Sequence, residues 1–297
     1  MSGEIKISGF TFVRNGVNYD YPFEESIRSL LPLVDELVIN VGIGSDDTLK
    51  RIENLAKEEK KIRFFQSVWD ENLRAGGLIL SQQTNLAIAK CKGSWGIYLQ
   101  ADEVLHEDDY EKIRSAITRA DDDHRVEGIL FRYIHFYGDF FIVNKNPSAY
   151  RNEIRIIRLG RQIQSYKDAQ GFRKKINENR WEKLHVHNCD ARIFHYGWVR
   201  PPEVMREKTV AMDKLYHQEG EGTGDNYKYK RIFGLERFKD THPKFMFSRI
   251  EEKKWNIDLL KAPLVFTLKD TRKIIVWFIE KITGWLPFEY KNYKRIG

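Results

Sequence analysis

The stretch YLQADE at 98–103 sets two carboxylates, Asp102 and Glu103, side by side after a short apolar run. Carboxylate oxygens suit a hard divalent cation and, through it, a phosphate. They equally suit a solvated turn, with Asp102 capping a helix that begins near Val104. A second group able to do chemistry lies far downstream, where His195 stands in FHYGW. A third, HVHNC, puts His185, His187 and Cys189 at alternate positions, which is one face of a strand. Three ligands from a single strand fit tetrahedral zinc badly.

The elements that must position these groups alternate over the first hundred residues. Strands are expected at 5–13, 37–41, 62–65 and 96–99, with helices at 23–31, 47–59 and 78–90 between them. Strands alternating with helices of ten or so residues imply a mostly parallel sheet covered by helices. Ligands of such sheets bind outside the carboxyl ends of the strands, which is where YLQADE falls. The pattern then changes. Strands at 128–137, 153–159 and 186–194, joined by long polar connections, suggest mixed or antiparallel pairing added to the sheet. A helix starts at the Pro-Pro-Glu of 201–203 and runs to about 217. The acidic, Gly-rich EGEGTGDN at 219–226 precedes a basic, aromatic end.

With 297 residues, 31% charged and 41% hydrophobic, the chain can bury a sizeable core. Two distant cysteines make no disulfide framework, and the opening MSGEIKISGF has no basic region followed by a long apolar core. A reducing, cytoplasmic setting is therefore expected. Charge is divided unevenly: residues 1–150 carry 18 basic and 24 acidic groups, and residues 151–297 carry 32 and 19. A basic half can attract nucleic acid, anionic lipid or phosphorylated substrates. The positive charge is spread along the chain and no RNA- or DNA-binding module is recognisable, so nucleic acid is not the expected partner.

Three segments resemble the GT-A glycosyltransferases, specifically family 2-like bacterial enzymes: residues 12–52, the stretch GSWGIYLQADEVLHEDD at 93–109, and FHYGWVRPPEVMREK at 194–208. The resemblance implies an α/β, Rossmann-like nucleotide-sugar-binding fold, with a mostly parallel sheet, an antiparallel extension and a helical C-terminal region. It implies a catalytic domain over 1–218, divided into a nucleotide-binding half (1–125) and an acceptor half (126–218), and a basic, aromatic helical extension over 219–297. The activity implied is inverting, metal-dependent hexosyl transfer from a UDP- or GDP-sugar to a cell-surface glycan or lipid-linked acceptor. The alternatives are a non-catalytic relative that binds sugar or nucleotide, and a basic nucleic-acid-binding protein.

The same resemblance assigns the site. The family's Asp-x-Asp reads Gln100-Ala101-Asp102 here, so Asp102 is the metal ligand, with Gln100 and Glu103 as flanking contacts. His195 is the late second ligand, and its imidazole favours Mn²⁺ over Mg²⁺. Phe12, Arg14 and Asn15 line the base pocket. The family's aspartate pair would fall at Val41 and Gly42 and is missing, while Asp46 and Thr48 match its later residues and read either as donor contacts or as helix caps. Asp168, in YKDAQGFR, is the expected base, with Glu153 as the alternative. Arg173, Arg200 and Arg206 could grip phosphate, and Tyr196 and Trp198 could stack on a sugar. At 273–286, apolar residues at 274, 275, 278, 279, 282, 285 and 286 define one helical face. That face fits docking on protein, or peripheral contact with an anionic membrane surface.

Overall fold

The computed structural model describes residues 6–70, 73, 76–216 and 227–296. Its first part follows the alternation. β1 (Ile7–Val13), α1 (Phe23–Leu30), β2 (Glu36–Gly42), α2 (Thr48–Glu58), β3 (Ile62–Ser67), α3 (Leu78–Ile88) and β4 (Trp95–Tyr98) come in that order. The strands pair in parallel as β3-β2-β1-β4. Apolar residues on both faces of β1 and β2 demand cover on both sides, and helices supply it. Close packing sets the residue at Gly9, where a Cβ would lie 2.8 Å from a methyl of Leu37 and 2.9 Å from one of Leu30.

The chain continues through β5 (Glu103–Leu105), α4 (Tyr110–Asp122), β6 (Gly128–Tyr137), β7 (Asp139–Asn144), β8 (Asn152–Arg158), β9 (Ile163–Tyr166), β10 (Gly171–Asn177) and β11 (Arg180–Trp198). The sheet extends from β4 in the order β8-β6-β11-β10-β9. Here β4–β8 and β8–β6 are antiparallel and β6–β11 is parallel. The α/β class expected of the sequence, a parallel sheet with a mixed extension, is the one observed.

Three expectations are corrected. No helix begins near Val104, which lies in β5; α4 starts at Tyr110 instead. β11 runs 19 residues, well beyond 186–194, and an irregularity between Asn188 and Arg192, with Asp190 at φ 35°, breaks its alternation. Cys189 is thereby turned into the core while His185 and His187 stay half-buried, so the three do not share a face. The C-terminal region is also less helical than expected. α5 (Pro202–Tyr216) is followed by β12 (Leu235–Arg237), α6 (Phe247–Glu251), α7 (Leu268–Thr283) and β13 (Tyr293–Arg295). β12 pairs with β7 and β13 with β11, so the chain end returns to the same sheet. The Gly-rich segment 219–226 lies outside the described residues.

One pairing matters most for function. β5 runs antiparallel to the end of β11, with His195 opposite Glu103, and the backbone N–H of Tyr196 donates to the carbonyl of Asp102 at 2.8 Å. Two motifs some ninety positions apart are thereby stitched edge to edge.

Candidate active site

A cleft of about 630 Å³ opens at the carboxyl ends of β1 and β4. Its walls come from Phe12, Arg14 and Asn15 after β1, from Trp69 after β3, and from Gln100 and Asp102 after β4. Asp168, His195 and α5 close the other side. Seven of the ten residues expected to hold donor or metal or to act as base thus meet in one place: Phe12, Arg14, Asn15, Gln100, Asp102, Asp168 and His195.

The other three are elsewhere. Glu103 is fully buried. Its carboxylate accepts from Arg155 Nε and Nη2 at 2.8 Å each, from the Tyr133 hydroxyl at 2.7 Å and from Gln100 N–H at 3.1 Å. Those four bonds use its lone pairs, so it is a pillar of the sheet and contacts no ligand. Asp46 accepts from the backbone of Asn18 at 2.8 Å and of Thr48 at 3.1 Å, clamping the turn after β1 onto the start of α2. Glu153 does not line the cleft. Its carboxyl group is packed under Gly171, where a Cβ would come within 2.6 Å of it. Burial pushes its pKa up to about 7.

Asp102 behaves differently from its neighbour. Its Oδ1 stands 3.8 Å from His195 Nε2, and its Oδ2 stands 3.6 Å from Lys208 Nζ and 3.8 Å from Arg200 Nη2. All three nitrogens are beyond hydrogen-bonding reach. Burial alone would raise the pKa of Asp102, yet the charges of Lys208 and Arg200 hold it below the usual carboxylate range. It is ionised and under-coordinated.

The state of His195 follows from its other nitrogen. His135 Nε2 lies 2.8 Å from the carbonyl of Tyr150, which can only accept, so that nitrogen carries a proton. Burial lowers the pKa of His135 to about 3, so the ring is neutral and its Nδ1 accepts. His195 Nδ1 lies 2.9 Å away and must donate to it. Burial lowers the pKa of His195 as well. Its Nε2 therefore presents a bare lone pair toward the Asp102 carboxylate.

This arrangement fits a divalent cation. Two lone-pair donors 3.8 Å apart, with no proton between them, are both within reach of one ion with bonds of about 2.0–2.2 Å, once they draw slightly together. The space in front of them is kept open by Gly197, where a Cβ would sit 2.5 Å from His195 Nε2 and 3.1 Å from Asp102 Oδ2. No group of three His, Cys, Asp or Glu residues converges among the described residues, so a cation at this place would have Asp102 and His195 as its protein ligands. The remaining positions suit phosphate oxygens and water.

Lys208 and Arg200 extend the site toward anions. Arg200 is fully buried and its Nε and Nη1 donate to the carbonyls of Tyr19 and Gly197, but its Nη2 has no hydrogen-bond partner. Lys208 donates to the carbonyl of Gly197 at 2.7 Å; burial, reinforced by Arg200, lowers its pKa to about 7. Both cations lie over the ring of Tyr21, at 4.5 and 5.0 Å. Arg173 is tied to Asn292 and Tyr290, Arg206 lines a neighbouring open hollow, and the Tyr196 hydroxyl is spent on His242.

Lys208, His135 and Trp69 are the residues sequence reasoning missed. Lys208 had a visible signal: with Ala211, Met212 and Leu215 it follows the i, i+3, i+4, i+7 pattern of a buried stripe, where a lysine is out of place. Trp69 fills the space beside Gly42, where its Nε1 would lie 2.4 Å from a Cβ. The indole occupies the room a side chain at 42 would need.

Neither a protein-family model nor a curated protein sequence matches the chain. Among solved structures it is similar to TarS of S. aureus, at 12% identity and a TM-score of 0.41, over 70% of this chain and 39% of that one. It is also similar to the mannosyltransferase PcManGT of Pyrobaculum calidifontis (14% identity, 43% of this chain and 35% of that one, TM-score 0.33). A third likeness is to GalNAc-T7 (16%, 45% and 24%, TM-score 0.33). The match spans well under two thirds of these proteins. Such distant likenesses assign no activity.

Proposed function

We propose that the chain is a GT-A-type, family 2-like glycosyltransferase that moves a hexose, with inversion, from a nucleoside-diphosphate sugar to a glycan or lipid-linked acceptor. The observation that carries this reading is the pair of unprotonated donors, Asp102 Oδ1 and His195 Nε2, facing a hollow flanked by Lys208 and Arg200. A site that gathers lone pairs for a cation and cations for an anion is suited to a metal diphosphate.

Asp102 and His195 would hold the ion, with Mn²⁺ preferred over Mg²⁺ because one ligand is an imidazole. When bound, such an ion supplies a Lewis acid to the phosphate oxygens. The chain's own residues do the rest. Phe12, Arg14 and Trp69 bound the end of the cleft where a base fits, and Lys208 and Arg200 offset the charge of the diphosphate. Asp168 sits in a turn whose neighbours Lys167 and Ala169 both have positive φ (55° and 61°), and it is hydrogen-bonded by the Tyr216 hydroxyl. As the acceptor oxygen forms its bond to the anomeric carbon, the bond to the diphosphate oxygen breaks, and that oxygen leaves with the electron pair. The acceptor proton passes to the carboxylate of Asp168. Glu153, sealed behind Gly171, has no route to it.

UDP, UDP-GlcNAc and GDP-mannose, which occur in solved complexes of TarS and PcManGT, define the donors to try. The reading places the protein in the cytoplasm, where such donors are made. Calorimetric titration with UDP and GDP, with and without Mn²⁺, tests it alongside donor hydrolysis. Nucleotide binding that tightens with Mn²⁺ and vanishes in Asp102→Ala supports the reading. No binding of any nucleotide, or an Asp102→Ala variant equal to the parent, overturns it. Binding unaffected by Mn²⁺ together with no turnover would instead mark a non-catalytic relative.

A further inference from the structure

α7 resolves which way its apolar face points. The side turned inward holds Val276, nearly buried, and Glu280, which pairs with Arg151 at 3.2 Å. Trp277 meets the ring of Phe233. The outward side carries Leu268, Ile275, Phe278 and Ile282, at steps of seven, three and four residues, which is one stripe of a helix. Leu268 is 92% exposed and Ile282 81%. Trp285 and Phe288 continue the stripe past the C-cap at Gly284, and Phe288 is 80% exposed. Packing onto this chain does not account for these residues.

Charge identifies what covers them. By helical geometry Arg272 and Lys281 flank the stripe on opposite sides, and both are exposed. Lys294 and Arg295 follow, also exposed. The acids of the region are neutralised within the molecule: Asp270 caps the helix through Thr267 and pairs with Lys273, Glu280 pairs with Arg151, and Glu289 pairs with Lys291. An exposed apolar ridge with a cationic border and no unpaired acid complements an apolar layer beneath an anionic surface. A second copy of the chain would bring the same positive border to the interface and repel.

We propose that the outer face of α7, with Trp285 and Phe288, seats the protein on an anionic lipid bilayer. The helix lies in the plane of the headgroups. At 16 residues it is too short to cross, and among the described residues no helix is long and apolar enough to span a membrane. The Arg151–Glu280 contact holds α7 next to Tyr150, which lines the cleft, so a seated protein presents its cleft close to the lipid surface. The surface itself stands independently of the transferase reading.

The test is co-sedimentation of the full chain with phosphatidylcholine vesicles, with and without phosphatidylglycerol. The parent should bind the anionic vesicles and be released by salt. Phe278→Asp with Ile282→Asp should bind at least about ten-fold more weakly, while keeping the parent's thermal unfolding and nucleotide binding, since both side chains face solvent. Arg272→Glu or Lys281→Glu should each weaken binding about five-fold or more. Equal binding to neutral and anionic vesicles, no binding, or undiminished binding by the double variant overturns the proposal. So does a dimer, seen by sedimentation, that the double variant dissociates.

Discussion

Two neighbouring carboxylates, Glu103 and Asp102, live in opposite electrostatic regimes. The Glu103–Arg155 pair is closed: both side chains are fully buried, and every acceptor site of the carboxylate is filled at ordinary hydrogen-bond distance. The Asp102 cluster is open: three basic nitrogens surround the carboxylate at 3.6–3.8 Å, and Arg200 Nη2 makes no hydrogen bond. A buried charge with saturated bonds is architecture, and one with vacant valence awaits something. One residue's difference in position sends the side chains to opposite sides of the β5 entry, and that is enough to separate the two roles.

Breaking the closed pair should have the largest effect. Glu103→Gln leaves the Arg155 guanidinium buried without its counter-charge and should cost about 3–5 kcal/mol of folding stability, measured by urea denaturation. Asp102→Asn should act on function. Turnover of the donor should fall by about 10²–10³-fold, and Mn²⁺-dependent nucleotide binding should disappear, with a smaller change in the urea midpoint than Glu103→Gln produces. If the two variants behave alike, the contrast between them is wrong.

A finer probe is His135, which touches no ligand. His135→Phe removes the acceptor for His195 Nδ1 and frees the ring to present the wrong tautomer. Metal-dependent nucleotide affinity should drop about 10–100-fold. His135→Asn, which can still accept that proton, should recover part of the loss, whereas a purely packing role would predict no such rescue. The smallest effect concerns pH. Lys208, lowered to about 7, is charged below that value and neutral above it in the free protein. A bound diphosphate favours its charged form, so binding takes up a proton at higher pH and weakens as pH rises. Affinity for UDP should fall about ten-fold between about pH 6 and 8, and Lys208→Arg should flatten that slope.

Much of the first hundred residues was legible because their strands and helices carry clean periods. β1 to β4 and α1 to α3 lie within a few residues of their expected limits. α4 also has its period, in Ile113, Ala116, Ile117 and Ala120, but it begins six residues after Val104. The intervening β5 is three residues long, too short to leave any pattern. The second half was harder to read for a different reason. His195 reaches Asp102 through the antiparallel β5–β11 pairing, and His135 reaches His195 through the parallel β6–β11 pairing. Long-range registers of this kind are written in no local spacing. The resemblance could nominate His195 but not its tautomer. Glu103 misled because adjacency in sequence looks like partnership, while the turn at Ala101–Asp102 leaves Asp102 at the cleft and carries Glu103 into β5 against Arg155.

Gly197 carries a consequence beyond this chain. A Cβ at that position would lie 2.5 Å from His195 Nε2, so any side chain there would push the imidazole aside and fill the hollow in front of Asp102. On the proposed reading, related chains that bind a cation at this place should keep glycine at this position.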